Sequence, residues 1–173
     1  MPPPQAQTAL ENFSRYLRDN LESIDCDQPI PFSKEIEHIK HYLAIEQADP
    51  AHTMQVVYDL NTTDFTIPAL CAQVLVENAV QHGIHRCSGE GRLVICSQES
   101  PEAYLVSVKN NGPAFDPERK RTSSGTPEAN DAHRSIGLSN VASRLRLQCN
   151  GTLHIEGGAD GTTATITIPK GDQ

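Results

Sequence analysis

A chain of 173 residues with 37% apolar side chains, 21% charged ones and no tryptophan is long enough for about one domain with a modest core. Its net charge of −8 leaves no basic footprint for a nucleic-acid backbone, and no stretch approaches the roughly 20 apolar residues of a membrane span. The opening Met1-Pro2-Pro3-Pro4 is no signal peptide, and five scattered cysteines (Cys26, Cys71, Cys87, Cys96, Cys149) without a CxxC pair point to reduced thiols in a cytosol.

Residues 1–5 are Pro-rich and read as disordered, or as the scar of a truncation. Over residues 6–24 the apolar positions Leu10, Phe13, Leu17, Leu21 and Ile24 step by three and four, which predicts a helix with one apolar seam. Such a helix needs a partner, either the domain behind it or a second copy of itself. Residues 25–31 break it. Ser33 then reads as the N-cap of a second helix, with Glu35 and Glu37 near its positive end and Ile36, Ile39 and Leu43 on its buried face. This helix ends before Pro50. His38 and His41 lie three apart on it without a third ligand nearby and read as solvated side chains.

Met54–Leu60 is rich in β-branched residues and predicts a strand, followed by a turn over residues 61–64. Ile67-Pro68 leads into the stretch on which the chain is organised, LCAQVLVENAVQHG at residues 70–83. Leu70, Val74, Leu75 and Val80 form a helical apolar stripe, and Glu77, Asn78, Gln81 and His82 interrupt a segment that otherwise suits a core. Polar groups beside a buried face cost free energy unless something satisfies them. A ligand carrying phosphate and an ion is the expected partner.

Two strands follow at residues 92–98 and 104–109, joined by a hairpin at Pro101-Glu102. Residues 110–134 have little apolar periodicity and hold Gly112, Pro113, Pro117, Gly125 and Pro127, the pattern of a functional lid or of disorder. Residues 135–149 return to helix through Leu138, Val141 and Leu145. A last hairpin pairs residues 152–156 with 162–168 across a turn at Gly157-Gly158 and Asp160-Gly161. Strands cluster without regular alternation with helices, so the expected class is α+β. The expected architecture is a two-layer sandwich, with a mixed sheet covered by helices on one face and preceded by the N-terminal helix. The run His82-x-x-His85-x-Cys87 lacks the second ligand pair that a zinc site wants.

Four phrases then stand in a telling order: LVENAVQHG (75–83), VKNNGPAFDPE (108–118), SIGLSNVASRL (135–145) and GTTATITIP (161–169). Together they resemble the ATP-binding domain shared by gyrase, heat-shock chaperones, mismatch-repair proteins and histidine kinases, the Bergerat or GHKL ATPase fold. More narrowly the chain is similar to the LytS-like sensor histidine kinases, in which LENFSRYLRDNL, PFSKEIEHIKHYL and YLAIEQ also recur. The resemblance implies ATP and Mg²⁺ as ligands. It implies an ATP-binding catalytic domain over residues 29–170 with a lid at about 112–134, and a remnant of the dimerisation helix over residues 6–28.

The resemblance also assigns roles. Asn78 matches the Asn whose carbonyl oxygen ligates Mg²⁺, an ion that keeps most of its shell as water and phosphate. Asn110 stands where the family has an Asp that accepts a hydrogen bond from adenine, Gly112 allows a tight turn with positive φ, and Ala114 replaces the family's second Gly. Ser135, Ile136, Gly137 and Leu138 are expected to open a helix whose free N–H groups hold phosphates, with Arg134 adding charge. Thr162 matches a hydroxyl near adenine, Gln81 replaces a Lys aimed at the phosphates, and His82 is expected at the pocket edge. Val74 stands where hydrolysing relatives carry a water-activating Glu, which argues against a gyrase-like hydrolase. Glu77 points about 100° from Asn78 on a helix and is the candidate to orient a nucleophile.

The phosphoacceptor phrase Asn-Pro-His-Phe is absent, and the first His, His38, already falls in the ATP-binding part. The chain therefore reads as the C-terminal part of a longer, membrane-anchored sensor whose cytoplasmic domain donates the ATP γ-phosphate to a His elsewhere. The implied partners are that His region, a response regulator and, through the seam helix, a second copy. The alternative is a degenerate nucleotide-binding or dimerisation module without phosphotransfer activity, because Gln81, Asn110, Ala114 and Ser135 all weaken the family pattern.

Overall fold

In the computed structural model, which describes residues 4–24, 28–49, 53–87, 89–114 and 129–171, the elements are four helices and seven strands. They run α1 (Pro4–Ile24), β1 (Ile30–Pro31), α2 (Phe32–Glu46), β2 (Met54–Leu60), β3 (Thr66–Ile67) and α3 (Cys71–His82). A 3₁₀ turn (Ile84–Arg86) leads to β4 (Gly91–Glu99), β5 (Ala103–Asn110), α4 (Ala129–Cys149), β6 (Thr152–Gly158) and β7 (Gly161–Pro169). The main sheet has the order β2-β4-β5-β7-β6, with β2 parallel to β4 and every other pair antiparallel. Mixed pairing with the helices on one face is the expected α+β sandwich.

Period-two alternation decides which face is covered. Leu93 and Ile95 of β4, Val106 and Val108 of β5 and Ile166 of β7 are buried, while Arg92, Gln98 and Lys109 between them are exposed. Onto the apolar face pack Phe32, Ile36, Ile39 and Leu43 of α2, Leu75, Val76 and Val80 of α3, and Val141 and Leu145 of α4. Each such side chain contributes about 1.5–3 kcal/mol on full burial. Among the described residues no helix is long and apolar enough to cross a membrane, and Cys71, Cys87, Cys96 and Cys149 are free thiols.

Several expectations change. The seam of α1 points outward, with Leu10, Phe13, Leu17 and Leu21 between 44% and 66% exposed. The side of α1 that meets the domain instead carries Tyr16, whose ring lies 5.8 Å from that of Tyr42. Ser33 is not an N-cap. Helix α2 is capped by Pro31, with no side-chain cap, because Pro31 belongs to a two-stranded ribbon with Thr66 and the Phe32 N–H donates to the Phe65 carbonyl (2.9 Å). His38 is buried rather than solvated, because it shares the covered face with Glu35, Ile39 and Tyr42.

In α3 the buried face is Cys71, Ala72, Gln73, Leu75, Val76 and Val80, and the expected Leu70 and Val74 are only half-buried. The helix lies against α2, α4 and β5, so its covered arc is broader than one stripe. Helix α4 starts at Ala129 and not at Ser135: the run Ala-Asn-Asp-Ala-His-Arg holds no Gly or Pro and continues the helical register. Residues 115–128 of the expected lid lie outside the described residues. The last turn is Ala159-Asp160, with Gly157 and Gly158 paired to Thr162 and Gly161 in the strands.

Candidate functional site

The side of α3 that is not committed to the core faces the ends of β5 and β7 and the Leu138 region of α4. The pocket between them has an apolar floor of Leu75, Val108, Ile155 and Ala164, closed by Leu138, and a polar set of Asn78, His82, Asn110 and Thr162. Sheet register makes the first part of this set. Asn110, the last residue of β5, sits opposite Thr162 of β7.

Two glycines let the backbone close around Asn110. A Cβ on Gly83 would stand 1.7 Å from Asn110 Nδ2, so the carboxamide lies over the bare Cα at the end of α3. A Cβ on Gly112 would stand 2.3 Å from the Gly83 carbonyl oxygen, so the loop after β5 packs on the same corner. Gly112 is thus required for close approach and not for a positive φ, which among the described glycines belongs to Gly161 (φ 119°). Thr162 Oγ1 donates to the Pro113 carbonyl (3.2 Å) and ties the loop to β7.

Asn110 is 3% exposed and its Oδ1 has no hydrogen-bond partner. A buried acceptor left alone is costly, so this oxygen fits a ligand that brings a donor. Asn78 donates from Nδ2 to the Val74 carbonyl (2.7 Å), one helical turn back, which leaves its Oδ1 as the uncommitted end. The structure therefore brings together Asn78, His82, Asn110, Leu138 and Thr162 of the expected set. Gly137 lies against Val74, where a Cβ would stand 3.6 Å from Cγ1.

Other expected residues fall elsewhere. Gln81 and Ala114 are exposed and do not line the pocket. Arg134 and Ser135 lie inside α4, so the N–H groups of residues 135–138 are not those of a helix start, and the first turn of α4 begins at Ala129. Glu77 turns away from the pocket. Its Oε1 accepts from the Tyr16 hydroxyl (3.0 Å) and from Gln73 Nε2 (2.9 Å), which also donates to Asn20 Oδ1 (2.9 Å). Of the set His82, His85 and Cys87, His85 pairs with Glu46 at 3.0 Å.

One residue behind the site went unseen as such. Glu35 of α2 is fully buried, and its carboxylate accepts from the N–H groups of Leu70 (3.0 Å) and Gln73 (3.0 Å). It caps α3 from another helix. Leu70 itself takes the left-handed conformation (φ 63°) and offers no side-chain cap. Burial pushes the Glu35 carboxyl up to about 7, against the opposing pull of the backbone N–H groups and of Arg144. Arg144 of α4 in turn donates to the Ala69 carbonyl (2.7 Å). The local pattern carries its burial but not its cap: Glu35, Ile39 and Tyr42 share one face at i, i+4 and i+7.

Comparison with known proteins gives this arrangement its kin. The model of the family described as "Histidine kinase-, DNA gyrase B-, and HSP90-like ATPase" matches residues 65–172, and a "Histidine kinase" model matches residues 1–52. The sensor histidine kinase YpdA of Escherichia coli (strain K12) is 38% identical over 170 residues, which are 97% of this chain and 29% of that protein. YwpD of Bacillus subtilis (strain 168) is 32% identical over 167 residues, 95% of this chain and 59% of that protein. The sensor protein LytS of Streptococcus mutans is 28% identical over 174 residues, 98% of this chain and 30% of LytS. The chain thus spans between 29% and 59% of the length of these relatives.

Among solved structures, the catalytic domain of the histidine kinase ThkA superposes with a TM-score of 0.59 at 19% identity, covering 83% of this chain and 95% of that one. The Acinetobacter baumannii histidine kinase AdeS superposes with a TM-score of 0.58 at 18% identity, covering 94% of this chain and 81% of that one. These two share the fold. The matched residues 65–172 carry β3, α3, β4, β5, α4, β6 and β7, and the chain belongs to the histidine kinase-, DNA gyrase B- and HSP90-like ATPase family of ATP-binding domains.

Proposed function

We propose that residues 29–170 are the ATP-binding catalytic domain of a two-component sensor histidine kinase, and that residues 6–28 are the end of its dimerisation helix. The observation that carries this reading is the orphaned Oδ1 of Asn110 at the base of a pocket whose rim holds Asn78. An unpaired buried acceptor beside an apolar floor fits a purine, and a free carboxamide oxygen fits an ion that needs few protein ligands. Asn110 and Thr162 would hold the base, and Asn78 would hold Mg²⁺. His82 and the Gly137 and Leu138 stretch of α4 would face the phosphates, with the expected lid confined to the loop between Gly112 and the start of α4.

When bound, Mg-ATP supplies the γ-phosphoryl group for transfer to a histidine on another segment or subunit. The chain's own residues position and shield. Leu75, Val108 and Ile155 exclude water from the base end, and Val74, one helical turn before Asn78, offers no carboxylate to activate water. Phosphoryl transfer needs mostly positioning and charge neutralisation, so a pocket with no strong base suffices. The outward seam of α1 supports a homodimer, and the likeness to LytS supports the cytoplasmic side of a membrane-anchored sensor with a response regulator as partner.

A second reading, a nucleotide-sensing or dimerisation module without transfer, is favoured by one observation: no Lys or Arg is among the described residues that line the pocket. Calorimetric titration with ATP and Mg²⁺ tests the first step, and absence of binding at millimolar nucleotide would overturn the kinase reading. If ATP binds, transfer of labelled phosphate to the histidine-bearing helix of the parent protein separates the two readings.

A further inference from the structure

Asn110 is the side chain at the base end of the pocket that combines near-complete burial with an unpartnered polar atom. Its neighbours there have less to offer a base. Thr162 commits its hydroxyl proton to the Pro113 carbonyl, and Asn78 commits its amide nitrogen to the Val74 carbonyl. The floor of Leu75, Val108 and Ala164 brings no hydrogen-bonding side chain. Of the polar side chains that line the pocket, Asn78, His82 and Thr162 are half-buried and Asn110 is nearly fully buried, so a base seated on the apolar floor meets this neutral carboxamide.

A carboxamide differs from a carboxylate in a way that matters for a purine. It carries an acceptor on one side and two donors on the other, whereas an ionised carboxylate only accepts. The last torsion of Asn is broad and roughly two-fold, so a half-turn exchanges oxygen and NH₂ without moving the backbone. The backbone is fixed by pairing of Asn110 with Leu93 and Thr162, and the bare Cα of Gly83 leaves the amide plane its place. A 6-aminopurine presents a donor at its amino group and an acceptor at N1. A 6-oxopurine presents an acceptor at O6 and a donor at N1. One orientation of the amide suits the first edge, and the flipped orientation suits the second. A carboxylate at this place would meet O6 with a like partial charge and reject it.

We propose that Asn110, being a neutral amide, admits 6-oxopurine nucleoside triphosphates to this pocket alongside ATP. The proposal rests on the reading of the pocket as a purine nucleotide site.

The test is calorimetric titration of the 173-residue chain with the magnesium complexes of ATP and of inosine triphosphate, which shows the 6-oxo edge without guanine's extra amino group. Dissociation constants within about tenfold of each other are expected, since neither edge leaves the amide unpaired. In Asn110→Asp the ratio should move by at least about tenfold in favour of ATP, because the 6-oxo edge then faces a charge. A wild-type ratio above tenfold overturns the proposal, and so does an Asn110→Asp ratio equal to that of the wild type. The wild-type ratio decides alone if circular dichroism shows that the variant does not fold. Failure of ATP to bind at all sinks the nucleotide reading itself, whereas ATP binding with inosine triphosphate excluded sinks only this inference.

Discussion

The Tyr16 hydroxyl on α1 donates a 3.0 Å hydrogen bond to Glu77 Oε1 on α3, one residue from Asn78 at the pocket rim. Burial and the neighbouring Glu77 carboxylate push the Tyr16 hydroxyl up to about 12, so the phenol keeps its proton at neutral pH and remains a donor. Gln73 closes the same cluster through its bonds to Glu77 and Asn20. Helix α1 is thereby attached to the helix that carries Asn78 by polar contacts, while its apolar seam stays outward.

Removing this hydroxyl tests the attachment. Tyr16→Phe keeps the ring beside Tyr42 but deletes the bond to Glu77, and is expected to cost about 1–2 kcal/mol in urea unfolding. Gln73 still serves Glu77, so the loss should stay at the lower end of what a bond to a charged group is worth. A variant as stable as the wild type would mean that α1 is held by other contacts.

Glu77 gives a second expectation. Its carboxylate faces Tyr16 and Gln73 rather than the pocket, so Glu77→Gln should lower the melting temperature while leaving the ATP dissociation constant within about threefold. A larger drop in affinity at unchanged stability would place Glu77 at the ligand instead.

Much of this organisation was legible in the sequence, and the remainder was hidden for identifiable reasons. The helix at residues 70–83 and the strands of both hairpins carry strong periodicity, and the structure returns them within about two residues. Asn78, His82, Asn110, Leu138 and Thr162 meet in one pocket because β5 and β7 pair in the register that puts Asn110 opposite Thr162. The cap that Glu35 places on α3 was not legible as such, because donor and acceptor are 35 or more residues apart and the local pattern offered the ordinary role at its own helix start. The strands Ile30–Pro31 and Thr66–Ile67 are too short for any period to show. The start of α4 was misplaced because no Gly or Pro marks a boundary at Ser135.

The pH dependence of stability follows from Glu35. Its carboxyl rises from 4.5 to about 7 in the folded state, so between those values the folded chain binds more protons than the unfolded one. Stability from this group is full below pH 4.5 and is lost as pH rises through about 7. The span corresponds to about 3 kcal/mol. Glu35→Gln cannot ionise, and one of the two N–H groups at Leu70 and Gln73 then loses its acceptor. Denaturant titrations of both proteins across this range should therefore show the stability difference moving by about 3 kcal/mol in the variant's favour as pH rises. A difference independent of pH would mean that Glu35 does not titrate in the folded chain as its burial demands.

The glycine beneath Asn110 is open to a direct test. In Gly83→Ala the new methyl would stand 1.7 Å from Asn110 Nδ2 and 2.5 Å from the Ala79 carbonyl, so the carboxamide must leave its place. The cost in stability is expected at about 1–3 kcal/mol, measured by urea unfolding. ATP affinity should fall by about tenfold or more at a temperature where the variant is still folded, because the base end loses its aligned amide. Unchanged affinity in a folded variant would show that Asn110 is not the group that meets the base.

Asn78 separates the metal from the nucleotide. Its uncommitted Oδ1 is the proposed Mg²⁺ ligand, while its Nδ2 is spent on the Val74 carbonyl. Asn78→Ala should abolish the gain in ATP affinity that Mg²⁺ provides and leave affinity in EDTA within about threefold of the wild type, as expected for loss of a metal ligand alone. Asn78→Asp keeps an oxygen ligand with more charge, and should restore Mg²⁺-dependent binding even though the bond to Val74 is lost. If Asn78→Ala retains the full Mg²⁺ effect, the ion is held by water and phosphate without this side chain, and the place of α3 in the site would reduce to its apolar wall and the corner at Gly83.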